Sequence, residues 1–249
     1  MKVSIITPTF NSCKTIIDTL NSIKIQTYSN IEHLIIDGRS TDETLNLCRR
    51  FSPRSIIISE RDDGIYDAMN KGIEMARGEI IGILNSDDFY TNNNIIEIIA
   101  DVFRENGEIQ VVYGNLIYVK GEDTSIAIRE WLSRPYYNKF FEDANVPPHP
   151  TLFVRREVYQ QVGMFDLSYK LAADYEFMFR VLKLNNIRSY YVNEFFVKMR
   201  TGGATSKSFH NILIQNFEIL RCWKEWNFKL PSSFWFKKLL NRILQFFIY

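Results

Sequence analysis

Short apolar runs alternate with segments of helical period through the first half of the chain, and this alternation limits the fold more than any other feature. Four runs are apolar on both faces, as buried strands of a parallel sheet are; they cover residues 3–7, 33–36, 55–59 and 80–84. Helical spacing is found between them, in Ile16, Leu20, Ile23 and again in Met69, Ile73, Ala76, and a further helix is predicted over 93–105. The alternation predicts an α/β fold with an open, mostly parallel sheet flanked by helices.

The second half of the chain is less regular. A strand is predicted over residues 111–119 with a break at Gly114, and helices over 155–162 and 174–184. Residues 121–150 are polar and aromatic and contain four prolines. We therefore expect this stretch to form an irregular segment over the edge of the sheet.

Polar loops follow three of the predicted strands. Residues 7–11 follow the first strand, residues 37–42 the second, and the adjacent carboxylates Asp87 and Asp88 the fourth. Singly, the first two loops are typical of capped turns, and two carboxylates on a solvated turn would cost little. Open parallel sheets, however, bind ligands outside the carboxyl ends of their strands, which brings these loops together. Clustered carboxylates need a cation, and Mg²⁺ or Mn²⁺ with a nucleotide diphosphate would satisfy them.

The composition of the 249-residue chain limits its partners and its location. A formal charge of +1 gives no whole-molecule field for nucleic acid, so no nucleic-acid partner is expected. The cysteines Cys13, Cys48 and Cys222 are far apart, which argues against disulfides or zinc and favours a reducing cytoplasm. The sequence shows no export signal and no uncharged run of about 18 residues, so we expect a cytoplasmic protein without a membrane span.

Four stretches together resemble one known family: "VSIITPTFN", "LIIDGRSTDET", "SERDDGIYDAMNKGIEMARGEIIGILNSDDFY" and "SYKLAADYEFMFR". In this order they are similar to the motifs of inverting family 2 glycosyltransferases, which have the GT-A (Rossmann-like) fold. The likeness covers about residues 1–203 and is greatest to bacterial enzymes that assemble capsule, exopolysaccharide or O-antigen units on a lipid carrier. It implies a GT-A domain over residues 1–205, with a nucleotide-binding half at about 1–110 and an acceptor half at about 111–205.

The resemblance assigns the donor side of the site to the loops after the first strands. It implies that Thr7, Pro8 and Asn11 line the nucleotide base, and that Asp37 accepts a hydrogen bond from the ring of a uridine nucleotide. Asp62 would lie near the ribose or the base. Basic residues that are candidates for phosphate contacts are Lys71, Arg155, Arg156, Lys170 and Arg200. A nucleotide-sugar donor is therefore expected, and a UDP-sugar in particular.

The "NSDD" segment corresponds to the metal motif of the family. The resemblance implies that Asp88 ligates Mn²⁺ or Mg²⁺ between the two phosphates, and that Asp87 binds ribose hydroxyls or helps to hold the metal. Asn85 stands where many relatives carry an acidic residue. This departure leaves the metal fewer protein carboxylates and leaves the division of roles between Asp87 and Asp88 open.

Asp174 matches the catalytic base of the family. In an inverting transfer, an acceptor hydroxyl attacks the anomeric carbon opposite the leaving diphosphate, and a carboxylate must take its proton. Many relatives carry an acid just before this position, where Ala173 stands here, and Glu176 would face elsewhere on a helix. The alternative for Asp174 is a helix N-cap. His149 corresponds to a loop position on the acceptor side, with a purely structural role as its alternative.

Residues 206–249 are expected to form a C-terminal helical extension. From residue 226 onward there are four basic residues, no acidic ones and eight aromatic ones, and Lys237, Asn241 and Gln245 form a stripe at helical spacing. Lys238 and Arg242 lie beside that stripe. One interpretation is a terminal helix packed on the domain by its broad apolar face. The other is an interfacial helix on anionic lipid, which predicts peripheral association with the inner face of the cell membrane.

The features together predict an enzyme that moves a single sugar from a nucleotide-sugar to a polyprenyl-linked saccharide. Processive relatives add a "QxxRW" motif and membrane spans, and the sequence has neither. A nucleotidyltransferase acting on sugar phosphates would also use strand-end carboxylates and Mg²⁺, but "TPTFNSCK" lacks the glycine-rich phosphate loop typical of that class. A non-catalytic sugar- or nucleotide-binding module is the third alternative, indicated only by Asn85 and Ala173.

Overall fold

A computed structural model of the chain describes residues 1–202 and 208–246. The strands are β1 (Val3–Thr9), β2 (Ile31–Asp37), β3 (Ile56–Ser59), β4 (Ile80–Ile83), β5 (Phe89–Tyr90), β6 (Val111–Val119), β7 (Ala127–Trp131), β8 (Phe153–Arg155) and β9 (Ser189–Arg200). The helices are α1 (Ile16–Lys24), α2 (Thr44–Phe51), α3 (Ile65–Met75), α4 (Ile95–Glu105), α5 (Arg156–Val162), α6 (Ala173–Met178), α7 (Phe209–Glu225) and α8 (Phe234–Leu244). A 3₁₀ turn covers His149–Thr151, and a π-helical segment over Phe179–Leu184 continues α6.

The strands form one sheet in the order β3-β2-β1-β4-β8-β6-β9-β5, with β7 paired to β6. β3, β2, β1 and β4 are parallel to one another, and β6 is parallel to β9. β8 is antiparallel to β4 and β6, β7 is antiparallel to β6, and β5 is antiparallel to β9. The predicted α/β fold with a mostly parallel sheet and flanking helices is confirmed. Thr9 pairs with Asp37 and Asp37 with Ser59, so the loops after β1, β2 and β3 leave the same edge of the sheet side by side.

The core lies on both faces of the central strands. Ile6 of β1 packs in a cluster with residues of α3, whereas its neighbour Ile5 packs in a second cluster with residues of α4. This division follows from the twofold alternation of side chains along a strand. β1, β2 and β4 are covered on both faces, so their buried positions do not alternate with exposed ones, as predicted from their apolar runs.

Three details differ from the sequence predictions. β3 is the edge strand, and Ile56 is 40% exposed, so it is not a buried central strand. Gly114 does not interrupt β6; the register with β9 shifts there, and a Cβ at this position would lie 2.8 Å from the Glu194 carbonyl oxygen. The segment 121–150 contains β7, and β9 was not predicted. The shift at Gly114 and the strand β9 both depend on pairing between segments that are distant in sequence.

The C-terminal helices α7 and α8 share the core of the domain. Trp223 and Phe234 are buried in one cluster with residues of the sheet and α3. The predicted boundary at residue 205 lies outside the described residues, as does the end of the tail at 247–249, and the division into two domains stays a prediction. Among the described residues, no helix has the length and apolarity needed to cross a bilayer.

Helix α8 packs on the domain through its polar stripe. Lys237 Nζ lies 2.7 Å from Asp143 Oδ1, and Asn241 Nδ2 donates to the Asp143 carbonyl at 3.1 Å. The Gln245 carbonyl accepts a hydrogen bond from the Glu130 N–H at 3.1 Å. The stripe therefore faces the protein. The helix packs on the domain, as one interpretation predicted, but through this stripe and Phe234 rather than through its whole apolar side. Arg242 stays exposed, and contact with a membrane stays a prediction.

His33 gives the fold a dependence on pH. Its ring is buried, with Nε2 3.0 Å from Thr7 Oγ1 and Nδ1 2.7 Å from Ser55 Oγ. Burial lowers the pKa of His33 from 6.5 to about 4. The native state therefore binds fewer protons than the unfolded state between these pH values, and stability is complete above pH 6.5 and falls toward pH 4.

We expect the free energy of unfolding to fall by about 3 kcal/mol through this group between pH 7 and pH 4. Urea denaturation of the wild type and of His33→Gln over this range measures it, because glutamine can keep polar contacts but does not titrate. If the free energy of unfolding fell equally with pH in the two proteins, His33 would not contribute to the pH dependence of stability.

Candidate active site

Loops from β1 and β2 are tied together at the carboxyl edge of the sheet. The Asn11 N–H donates to Ser40 Oγ at 2.8 Å, and the Thr41 N–H donates to Asn11 Oδ1 at 2.9 Å. Asn11 has φ +48°, a left-handed conformation that asparagine tolerates better than most residues. This exposed residue therefore fixes the relative position of the two loops.

Several predicted nucleotide-binding residues form the floor of this region. Asp37 is fully buried, and its carboxylate accepts hydrogen bonds from the Ser40 N–H at 3.0 Å and from Ser59 Oγ at 2.6 Å. Thr7 and Pro8 are buried in β1. Asn11 and Asp62, in contrast, reach the surface. The structure brings all of them to one edge of the sheet, and their roles toward a nucleotide stay predictions.

Asp62 lies directly over the turn that follows β2. A Cβ on Gly38 would lie 2.4 Å from Asp62 Oδ2, so glycine permits this close approach. Asp62 Oδ1 also accepts a hydrogen bond from the Gly64 N–H at 3.1 Å. The loop after β3 thereby joins those after β1 and β2.

Helix α1 holds the "NSDD" loop after β4. Thr19 Oγ1 donates to the Asp88 carbonyl at 2.7 Å, and Thr15 Oγ1 donates to the Ser86 carbonyl at 2.9 Å. On the other side, Arg200 Nη1 donates to the Asp87 carbonyl at 2.5 Å. These backbone contacts fix the path of the loop, so the directions of its two carboxylates are set by the fold.

The two carboxylates have different surroundings. Asp87 is half-buried, whereas Asp88 is fully buried and accepts a hydrogen bond from Asn85 Nδ2 at 3.2 Å. Burial first, and then the charge of Asp87, raise the pKa of Asp88 well above its usual range. Asp88 Oδ1 and Asn85 Oδ1 are buried without a hydrogen-bond partner.

These oxygens are the kind of donors that a hard divalent ion takes. The part of the chain that the structure describes has no group of three His, Cys, Asp or Glu side chains that could hold a metal by itself. A Mn²⁺ or Mg²⁺ ion here would need further oxygens from a ligand or water. The residues therefore fit an ion shared with a diphosphate, which is the usual manner of Mg²⁺ binding.

Asp174 lies in the first turn of α6, between two aromatic partners. Tyr66 Oη donates to Asp174 Oδ1 at 3.1 Å, and His149 Nδ1 lies 3.2 Å from Asp174 Oδ2. The N-cap of α6 is Ala172, so the alternative that Asp174 only caps this helix is wrong. Glu176 is buried against Arg180 and faces elsewhere, as expected.

The Asp174 cluster lies near the carboxyl end of β4, from which the "NSDD" loop follows. His149 and Asp174 line a small cavity together with Ile83, the last residue of β4. Burial raises the pKa of Tyr118, the nearby Arg129 lowers it, and the charges of Asp88 and Asp174 raise it further. Tyr118 thus lies within electrostatic reach of both carboxylates, which were identified from separate parts of the sequence.

Two tyrosines of this region were not identified from the sequence. Tyr66 lies within the motif "SERDDGIYDAMNKG" but carries no charge or unusual spacing that would single it out. Tyr118 lies on β6, one of whose partners, β9, is distant in sequence. Only the fold shows that both approach the carboxylates.

The candidate phosphate contacts are at different edges of the sheet. Arg155 pairs with Ile80 at the start of β4, and the Arg156 N–H donates to the Glu79 carbonyl, so both lie at the amino edge and the prediction for them is wrong. Lys71 is bound by Glu60 at 2.9 Å and Asp67 at 3.2 Å. Arg200 supports the "NSDD" loop, and Lys170 is exposed in the loop before α6.

Comparisons with known proteins agree with this geometry. Residues 4–163 match the family model described as glycosyl transferase family 2. A PGL/p-HBAD biosynthesis glycosyltransferase of Mycobacterium tuberculosis is 32% identical over 181 residues, which cover 71% of this chain and 68% of that protein. An uncharacterized glycosyltransferase of Rickettsia typhi is 25% identical over 225 residues, 88% of this chain and 70% of that protein.

Solved structures show the same fold at low identity. S. aureus TarS 1–349 in complex with UDP-GlcNAc superposes with a TM-score of 0.67 at 20% identity, over 99% of this chain and 78% of that one. The mannosyltransferase PcManGT from Pyrobaculum calidifontis, in complex with GDP-Man and Mn²⁺, gives a TM-score of 0.66 at 17% identity, over 98% of this chain and 69% of that one. Fold, motifs and relatives agree, and the chain belongs to glycosyl transferase family 2.

Proposed function

We propose that this glycosyltransferase moves one sugar from a UDP-sugar to a hydroxyl group of a lipid-linked saccharide used in bacterial surface polysaccharide biosynthesis, with inversion at the anomeric carbon. The observation that carries the proposal is that two carboxylate sites lie near the carboxyl end of the same strand, β4. Asp87 and Asp88 follow β4, and Asp174 lines a cavity with the last residue of β4. One site suits a diphosphate leaving group, and the other suits an attacking hydroxyl.

The donor is assigned to the loops after β1 to β4. Asn11 and Asp62 are at the surface and would contact the nucleoside, above the floor formed by Thr7, Pro8 and Asp37. A uracil N–H donating to Asp37 would add to the hydrogen bonds from Ser40 and Ser59.

Asp87 and Asp88 would hold Mn²⁺ or Mg²⁺, with the half-buried Asp87 nearer the ligand. Asp88 would contribute its unpartnered Oδ1 or keep the loop in place. The ion, when bound, would neutralise charge on the leaving diphosphate.

Asp174 is the proposed general base. The acceptor oxygen would form its bond to the anomeric carbon as the bond from that carbon to the diphosphate oxygen breaks. The hydroxyl proton would pass to Asp174, whose carboxylate is partly exposed beside the cavity. Such a base typically contributes about 10²- to 10⁴-fold to the rate.

The outer face of α7 and α8 is the proposed membrane contact. Phe236 on α8 and Phe217 on α7 are 69% and 68% exposed. Further exposed apolar residues on the same two helices are Leu213, Leu220, Leu239, Leu240, Ile243 and Leu244. Lys238 Nζ joins the helices by a 2.7 Å contact with Asn216 Oδ1. An apolar face of this kind with Arg242 on the same helix fits anionic lipid, where a polyprenyl-linked acceptor would be found.

The membrane proposal predicts that Leu239→Gln, Leu240→Gln and Ile243→Gln together release the protein from liposomes containing anionic lipid. Flotation measures this, with Ile25→Gln and Leu167→Gln, which replace exposed apolar residues elsewhere, as the matched control. These surface changes are preferable to deleting residues 231–249, because the deletion would also uncover Trp223. Equal flotation of all three proteins would contradict the membrane contact, and a change from dimer to monomer would assign the face to self-association.

Calorimetry with UDP, GDP and dTDP tests the donor assignment. We expect one nucleoside diphosphate, UDP, to bind in the presence of Mn²⁺ and to bind much more weakly after chelation with EDTA. Metal-independent binding, or no binding of any of the three, would contradict the proposed donor site.

A further inference from the structure

Asp174 is the meeting point of three elements that are far apart in sequence. Its two oxygens face different partners, Tyr66 from α3 and His149 from the 3₁₀ turn. The side chains of Asp174 and His149 are 20% and 28% exposed, so protons from solvent can reach both. The proposed base is therefore in direct contact with a second ionisable group, His149.

We propose that the hydrogen bond from Tyr66 positions the Asp174 carboxylate. We propose also that a protonated His149 makes Asp174 a weaker base, so that turnover falls as the pH is lowered. This inference rests on the proposed function, in which Asp174 receives the acceptor proton. It adds a positioning residue and a pH control that the sequence motifs do not assign.

Tyr66 can act only as a donor to Asp174. An ionised carboxylate accepts hydrogen bonds and donates none. Burial first, and then the charge of Asp174, raise the pKa of Tyr66 well above its usual range, so its hydroxyl keeps its proton. One carboxylate oxygen is thus held in a fixed direction by a donor that keeps its proton.

His149 acts through its charge. A neutral ring 3.2 Å from Asp174 Oδ2 leaves the carboxylate free to take a proton from the acceptor. A protonated ring at that distance forms an ion pair, and an adjacent positive charge favours the ionised form of a carboxylate. Proton transfer to Asp174 then becomes less favourable, and turnover falls as the pH is lowered.

Other titratable groups near this pair are few among the described residues. Glu218 on α7 acts on Tyr66, and Tyr118 on β6 is within reach of the Asp174 charge. Neither is a cation, and His149 is the group in salt-bridge contact with Asp174. A loss of activity at low pH is therefore assigned to His149 rather than to Glu218 or Tyr118.

The kinetic test uses hydrolysis of UDP-GlcNAc in Mn²⁺ over pH 5 to 9. We expect His149→Gln to move the low-pH side of the activity profile to lower pH by about one unit or more. We expect Tyr66→Phe to lower kcat about tenfold, leave KM for the donor unchanged and leave the low-pH side of the profile in place. His210→Gln and Tyr137→Phe are matched controls, since His210 is exposed and Tyr137 donates to Asp143 away from the site.

A second readout needs no turnover. The chain has three histidines, so NMR can follow the His149 ring, identified by its loss in His149→Gln. We expect Asp174→Asn to move the His149 titration to lower pH, because the carboxylate no longer stabilises the charged ring. If the His149 titration does not move in Asp174→Asn, the two groups are not coupled. If the low-pH side of the activity profile does not move in His149→Gln, His149 does not control the pH dependence. An unchanged kcat in Tyr66→Phe overturns the positioning role.

These outcomes are distinct from failure of the proposed function. If Asp174→Asn hydrolyses the donor at the wild-type rate, then Asp174 is not the base, whatever the titration of His149 shows. If His149→Gln abolishes turnover at every pH while Asp174→Asn does not, His149 itself is the proton acceptor and the inference is overturned.

Discussion

Replacing Asp174 by asparagine is expected to cut turnover by about 10²- to 10⁴-fold while leaving donor affinity unchanged. The amide oxygen can still accept the hydrogen bond from Tyr66, so the local geometry is kept. It cannot take a proton from an acceptor hydroxyl. Steady-state kinetics and calorimetry with UDP, performed on the same preparation, separate the two effects.

Asp101→Asn is the matched control for this change. Asp101 is an exposed aspartate on α4 that pairs with Arg104 outside the site. We expect wild-type turnover from it. A nearly normal rate in Asp174→Asn would contradict the assignment and direct the search for the base to His149.

Replacing Asp87 by asparagine is expected to weaken Mn²⁺-dependent binding of UDP by about 100-fold or more, since changes even behind the ligands of a metal cost about 10- to 100-fold. Asp88→Asn is expected to weaken it as well, although the neutral amide suits the buried position. Burial opposes the charge of Asp88, so its replacement should leave thermal stability unchanged or raised.

Calorimetry with and without Mn²⁺ measures both variants, with Asp101→Asn again as the control. Loss of binding in a folded Asp88→Asn protein would assign Asp88 to the metal or to the loop that holds it. Unchanged affinity in both variants would remove the metal assignment from the "NSDD" loop.

The central strands could be predicted because their environment is uniform along their length. β1, β2 and β4 are covered on both faces, which favours apolar residues at most positions and leaves a clear signal in the sequence. β9 could not be predicted in this way. It pairs with β6 along one edge and with β5 near its end, and its residues alternate irregularly between exposed and buried.

The stripe on α8 shows a different limit. Helical spacing identified Lys237, Asn241 and Gln245 as one side of the helix, which is correct. It could not say which side faces the protein, because the partner of Lys237, Asp143, lies 94 residues earlier in the chain. The structure turns the stripe inward, buries Phe234 and leaves much of the remaining apolar side exposed.

Only the residues of the candidate site that lie in sequence motifs could be predicted. The resemblance pointed to Asp87, Asp88 and Asp174, and the fold brings these to one region. The contact between Tyr66 and Asp174 joins residues 108 positions apart, so no local pattern could show it. Arg155 and Arg156 carry suitable charge, but the antiparallel direction of β8 places them at the opposite edge of the sheet.

Release of nucleoside diphosphate from UDP-, GDP- and dTDP-sugars is the most direct test of sugar transfer by this chain. The wild type, Asp174→Asn and Asp101→Asn would be compared in Mn²⁺ and in EDTA. We expect the wild type and Asp101→Asn to release UDP from a UDP-sugar in Mn²⁺ only. We expect Asp174→Asn to release UDP at least about 10²-fold more slowly. Release of pyrophosphate instead, or no release from any donor, would contradict sugar transfer by this chain.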